Sequence, residues 1–311
     1  MKSENFSKDT TSPLISRHTG LRLSLLLIVV VVLLAVVSCR VHSGERSPSD
    51  SIQSAQEIDE EMKALAGEVA VKWLGADSEK VADFIQELVE AYAQVKDRHF
   101  AIIYNTGGFG GTSIDDDPEW SEVVHGIQRE LAMLGYDAAV LDYTRSTLSL
   151  TGFIGELRDL IRNYAGKAPL LAGKVDFLTR AVEDLKVIIT GRCFGAIFSN
   201  EAMELIEDNH RVYSIQAGHP FWYRPMPAAN TLLMEDNGLM PDSICQGDLW
   251  AILRANLTHG PSLSRPPGGS IMIGPIFIRA PGHEYTWEHP SIRENVTTFL
   301  KERFGLNADE I

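Results

Sequence analysis

Apolar positions along this chain follow different rhythms in different regions, and each rhythm predicts its own kind of element. Residues 23 to 37, "LSLLLIVVVVLLAVV", are almost unbroken in their apolar character. The run is short of the roughly 20 apolar residues a spanning helix needs, and closer to the core of a signal sequence. Further on, in "SEKVADFIQELVEAYAQV", Val81, Phe84, Ile85, Leu88, Val89 and Tyr92 recur at three- and four-residue spacing, with Ser78 as the expected N-cap. A helical region over residues 55–97 is therefore expected, with an apolar side that must pack against something.

From residue 99 short β-rich apolar runs alternate with helical patterns. "HFAIIYN" reads as a strand, "PEWSEVVHGIQRELAMLG" as a helix and "DAAVLDY" as a strand. Two helical patterns come next, "LTGFIGELRDLIRNYAG" and "KVDFLTRAVEDL", where a simple crossover needs one, so an insertion or lid is expected there. "KVIITG" is the next strand and "AIFSNEAMELIED" the next helix. "RVYSIQAG", "NTLLMED", a helix near "GDLWAILRANL", the strand "SIMIGPIFIRAP" and the helix "PSIRENVTTFLKERFG" complete the order. The alternation predicts an α/β domain over residues 98–311: a doubly wound, mostly parallel sheet with helices on both faces.

Charge adds a direction to the N-terminal run. Lys2, Lys8, Arg17 and Arg22 precede it, while only Arg40 and Arg46 closely succeed it. That asymmetry predicts a cytoplasmic segment at residues 1–22 and export of the chain beyond the apolar run. "VVSC", residues 36 to 39, resembles a bacterial lipobox with Cys39 as the lipidated residue; an uncleaved signal anchor over 23–39 is the alternative. Residues 40–54, polar and rich in Ser, read as a flexible tether. Either way the folded part is expected to be membrane-anchored on the extracytoplasmic side. With 42 acidic against 28 basic residues, a net charge of -14 and no basic patch beyond the N-terminus, nucleic acid is excluded as a partner. Oligomeric state is not legible.

Chemistry concentrates in "VIITGRCFGAIFSNEAM", residues 187 to 203. Cys193 stands between Gly191 and Gly195 where a β-rich run gives way to a helix. "GRCFG" fits the G-x-nucleophile-x-G elbow, in which glycines relieve a cramped strand-to-helix turn. The alternatives are a nucleophile or a small buried residue in an ordinary βα connection. A disulfide to Cys245 is a further rival, since exported cysteines often pair.

On these residues the chain from 99 to 305 resembles an α/β-hydrolase, and the cysteine elbow is similar to that of the dienelactone hydrolases. The resemblance implies a histidine between the last strand and the C-terminal helix, where "APGHEYTWEHPS" offers His283; His289, just before Pro290, reads as a surface residue. It implies an oxyanion loop in "NTGGFGG", residues 105 to 111. Backbone N–H groups there, Gly108 and Phe109 among them, would act with that of Phe194, each such donor contributing about 3 kcal/mol. The loop fits neither G-x-G-x-x-G nor the P-loop, which disfavours a nucleotide-binding reading. It also implies an acid, for which Glu235, Asp236 and Asp242 are available. Asp236, just past the apolar "TLLM", is the first choice and Glu235 the second, while Asp242 reads as an N-cap. The expected activity is hydrolysis of a small ester or thioester by a Cys–His–acid triad, with no cofactor and no metal motif. The rival from another class is a hydrolase-fold binding or scaffolding protein without activity, because oxidation or pairing would silence an exported thiol. His219 reads as loop packing, and Asp115, Asp116 and Asp117 as a solvated helix start.

Overall fold

The β-branched and aromatic residues of "FAIIYN" and "KVIITGR" form two adjacent strands that are buried along almost their whole length. In the computed structural model, which describes residues 60–76, 79–147, 149–226, 228–266, 268–273 and 276–305, these are β1 (Phe100–Asn105) and β3 (Lys186–Arg192). The apolar run 23–37, Cys39, the tether and Ser78 lie outside the described residues. With β2 (Ala138–Tyr143), β4 (Val212–Ala217) and β5 (Thr231–Met234), they make a five-stranded parallel sheet in the order β2-β1-β3-β4-β5.

Alternate side chains leave opposite faces of each strand, so one strand feeds two cores. Ala101, Ile103, Val187 and Ile189 pack with helices α1 (Glu60–Leu74), α2 (Val81–Val95), α5 (Ala168–Ala181) and α6 (Phe194–Leu205). Phe100, Ile102, Tyr104 and Ile188 pack on the other face with α3 (Pro118–Met133) and α8 (Pro290–Phe304). Burial on both faces is why the central strands read as continuous apolar runs. The helical region ahead of the sheet is part of this architecture: Ala66, Val69, Phe84 and Leu88 belong to the same core as β1 and β3.

Two expectations change. "SIMIGPIFIRAP" does not add one strand to the sheet. It forms a separate antiparallel pair, β6 (Ser270–Ile273) and β7 (Ile276–Arg279). The two helical patterns between β2 and β3 are α4 (Leu150–Ile161) and α5, and α5 belongs to the core. Helix α7 (Leu249–His259) comes after β5. Among the described residues no helix is long and apolar enough to cross a membrane.

The strand order positions the site. The chain leaves β1 towards β2 and then crosses back to β3 on the other side of β1. The connections after β1 and β3 therefore diverge to opposite faces and open a crevice at the C-terminal strand ends. Asn105 pairs with Gly191, which brings the loop after β1 alongside Arg192 and Cys193.

Candidate active site

Cys193 joins β3 to α6 at φ 54°, ψ -122°, a backbone conformation that a non-glycine residue adopts at a cost of order 1–3 kcal/mol. The surroundings hold it there. Its N–H donates to the Ala217 carbonyl at 2.9 Å, and its own carbonyl accepts from the N–H groups of Ala196 and Ile197. The flanking glycines are obligatory for a steric reason. A Cβ on Gly191 would lie 2.5 Å from the Gly195 carbonyl oxygen, and one on Gly195 would lie 2.5 Å from that of Thr106. The thiol-bearing residue is 2% exposed.

His283 lies beyond β7 after a short turn, its N–H donating to the Ala280 carbonyl at 3.0 Å. Gly282, at φ 80°, lets that turn press against the chain at Pro241: a Cβ there would meet the Pro241 carbonyl oxygen at 2.2 Å. The buried His283 ring interacts with the Cys193 side chain on one side and hydrogen-bonds through Nδ1 to Asp242 Oδ2, at 2.7 Å, on the other.

The acid that meets His283 is Asp242. Asp236, expected in that role, is exposed, and its Oδ1 accepts only a local hydrogen bond from the Gly238 N–H at 2.8 Å. Glu235 is exposed as well. Asp242 is fully buried. Its Oδ1 accepts from the N–H groups of Ile244 and Cys245, and its Oδ2 from His283, the Tyr285 hydroxyl at 2.7 Å and the Cys245 thiol at 3.3 Å. Burial alone would raise its pKa, but the His283 charge and these hydrogen bonds bring it down to about 2. Burial likewise pushes His283 down. The charges of Asp242 and Cys193 outweigh that and push it up to about 10.

The loop after β1 owes its shape to Arg145. This buried guanidinium donates to the carbonyls of Thr106 at 2.7 Å and Gly108 at 3.2 Å, and its Nε donates to Glu156 at 2.8 Å. Glu156, from α4, also accepts from Lys167 and the Tyr164 hydroxyl. In trans peptides the N–H points opposite to the preceding carbonyl, so the N–H groups of Gly107 and Phe109 face away from Arg145. Gly108 lines the cavity beside Cys193 and His283. The side chain of Phe109 is buried between Phe153 and Phe194, with ring centroids 4.3 and 5.5 Å away. Phe194 is the first residue of α6, so its N–H has no acceptor within the helix and lies at the positive end of the helix dipole.

The cavity has a volume of about 10 Å³, room for one water. Arg192 and Arg265 also line it, and both donate to Asp117 Oδ1, at 2.9 and 2.8 Å. Arg192 further pairs with Glu119, and the Tyr104 hydroxyl donates to Asp117 Oδ2 at 2.9 Å. Asp117 does cap α3, as its place in the sequence suggests, but it is buried rather than solvated. The sequence carries no local sign of this network, because its partners are 75 and 148 residues away.

Cys193 and Cys245 are both free thiols, so the expected alternative of a disulfide between them is not realised. His219 is buried, stacked on Tyr223 with ring centroids 5.7 Å apart, and pushed down to about 4 by burial, which fits loop packing. Among the described residues no cluster of His, Cys, Asp and Glu is arranged to hold a metal ion.

No family model matches the chain, and no curated protein does. Among solved structures it is similar to Trichoderma reesei cutinase in complex with a C11Y4 phosphonate inhibitor. That likeness has 13% sequence identity and a TM-score of 0.42, and covers 80% of this chain and 93% of the cutinase chain.

Proposed function

We propose that this protein is a hydrolase of small ester or thioester substrates, of α/β-hydrolase type, acting through Cys193, His283 and Asp242. One observation carries the reading: a cysteine held at positive φ on a strand-to-helix turn, touching a buried histidine whose far nitrogen is bound by a buried carboxylate. Ordinary βα turns need no such strain, and a structural cysteine needs no oriented histidine.

In the proposed reaction His283 takes the Cys193 proton, and the sulfur attacks the substrate carbonyl carbon. The negative charge moves to the carbonyl oxygen, where the Phe194 N–H and N–H groups of the Gly107–Gly111 loop stabilise it. His283 then gives the proton to the departing alkoxide or thiolate, leaving an acyl group on Cys193. A water deprotonated by His283 attacks this thioester, releases the carboxylic acid and restores the thiol. Asp242 keeps the ring oriented and offsets its positive charge throughout. The N-terminal run at 23–39 would tether the enzyme to a membrane with this domain on the extracytoplasmic side.

The small cavity and the 2% exposure of Cys193 favour a second reading, a binding protein on the same fold that does not turn over. Intact-mass analysis of the full chain incubated with p-nitrophenyl acetate separates the two. The hydrolase reading expects a burst of nitrophenolate and one acetyl group on Cys193, both lost in Cys193→Ala. Undiminished hydrolysis by Cys193→Ala would overturn the mechanism, and no acylation of the native chain would favour the binding protein.

A further inference from the structure

Cys193 is 2% exposed and His283 1%, so bulk water has no open path to either side chain. Removing an acyl group from Cys193 nonetheless needs a water within reach of His283, and needs it aimed. The cavity beside them, about 10 Å³, has room for one water, and a water held inside a protein typically makes about three hydrogen bonds. The residues lining that cavity carry unused groups. Among the described residues Ser270 Oγ, Arg192 Nε and Arg265 Nε are buried with no hydrogen-bond partner. Buried polar atoms are ordinarily bonded, so three around one cavity call for a polar occupant. A close approach of the chain brings Ser270 here. Gly269, at φ 83°, packs on the peptide after His283: a Cβ there would lie 2.9 Å from the His283 carbonyl carbon and 3.0 Å from the Glu284 nitrogen. Its carbonyl accepts from the Ala280 N–H at 3.3 Å, at the base of the turn that carries His283. Ser270, 3% exposed, opens β6 from that contact.

The three groups are not equivalent. Both arginines already pair with acids, Arg192 with Glu119 and Asp117 and Arg265 with Asp117, and a guanidinium N–H can only donate. A donor draws on the lone pair that a water needs for attack. A serine hydroxyl also accepts, so Ser270 Oγ can hold one O–H of the water while the other faces His283 and a lone pair stays free. Thr106, another buried hydroxyl of the lining, donates to the Gly107 carbonyl at 3.3 Å. We propose that Ser270 is a catalytic residue of deacylation, holding the hydrolytic water against His283. This role rests on the acylation of Cys193 described under the proposed function. The water gives one proton to His283 while its oxygen bonds to the thioester carbonyl carbon. The tetrahedral adduct then expels the sulfur, which takes that proton from His283, and the second water hydrogen leaves on the carboxylic acid.

The test reads the two half-reactions separately, on the full chain and on Ser270→Ala. With p-nitrophenyl acetate, the burst of nitrophenolate reports acylation. Once excess ester is removed by gel filtration, intact mass follows the loss of the acetyl group from Cys193. Ser270→Ala is expected to be acetylated at the native rate and to lose the acetyl group roughly 10²-fold more slowly, the scale of a misplaced reacting group. Equal rates of acetyl loss in the two proteins would overturn the role of Ser270. So would a parallel fall of both half-reactions, which is what a merely structural effect on the site produces. Failure of the hydrolase reading shows elsewhere, as a native chain that takes up no acetyl group, and it would overturn the role of Ser270 as well.

Discussion

A carboxylate has two oxygens, and Asp242 uses them for different purposes. Oδ1 closes a local turn with Ile244 and Cys245, while Oδ2 holds His283. Closing a turn and holding His283 are thus compatible in one residue, and the N-cap of α7 is Asp248, not Asp242 as its place in the sequence suggests. Replacing Asp242 by Asn keeps the shape but removes the charge that stabilises a protonated ring. The kcat/KM for ester hydrolysis is expected to fall roughly 10⁴-fold, by analogy with the same change in a serine triad. Asp236→Asn, on the exposed turn after β5, should leave kcat/KM within about twofold, as surface changes away from a site do. Steady-state kinetics on the two variants decides it, and a large loss in Asp236→Asn with none in Asp242→Asn would reverse the assignment.

At the scale of elements, the crossover between β2 and β3 supports the site. Helix α4 supplies Glu156, which steadies Arg145, which in turn grips two carbonyls of the loop after β1. An insertion or lid was the expectation for this extra helical segment; the cavity beside Cys193 is lined by the loop after β1 and by Arg265, Ser270 and Ile271. Arg145 and Glu156 have no solvent-exposed side-chain surface, so breaking their pair strands a buried charge. Arg145→Met is expected to destabilise the fold by about 3–5 kcal/mol in urea denaturation. Acylation should slow as the loop loses its anchor. A loss under about 1 kcal/mol would mean that Lys167 alone satisfies Glu156.

For the whole molecule, the buried His283–Asp242 pair couples stability to pH. His283 rises from 6.5 to about 10 on folding, so its contribution is complete below about pH 6.5 and is lost as pH climbs towards 10. Asp242 falls from 3.8 to about 2, so its contribution is complete above about pH 4 and is lost as pH drops towards 2. Thermal unfolding midpoints measured from about pH 5 to 10 should decline on the alkaline side in the native protein, and that decline should be shallower in His283→Gln. Parallel curves for the two would show that the ring does not bind its proton more tightly in the folded state.

Much of this was written locally. The apolar runs of β1 and β3, Gly191 and Gly195 around the elbow, and His283 between β7 and α8 are all decided by neighbours in sequence: period, turn sterics and element order. The ion network around Asp117 was not, because charge pairs across 75 and 148 residues leave no local pattern. Nor was the acid. Asp236 and Asp242 each accept a hydrogen bond from the N–H two residues on, at 2.8 and 2.7 Å, and look alike to any local reading. The packing of Gly282 against Pro241, with the Ser243 N–H on the Pro281 carbonyl and the Tyr285 hydroxyl on Asp242, brings His283 to one of them, and those contacts exist in three dimensions alone.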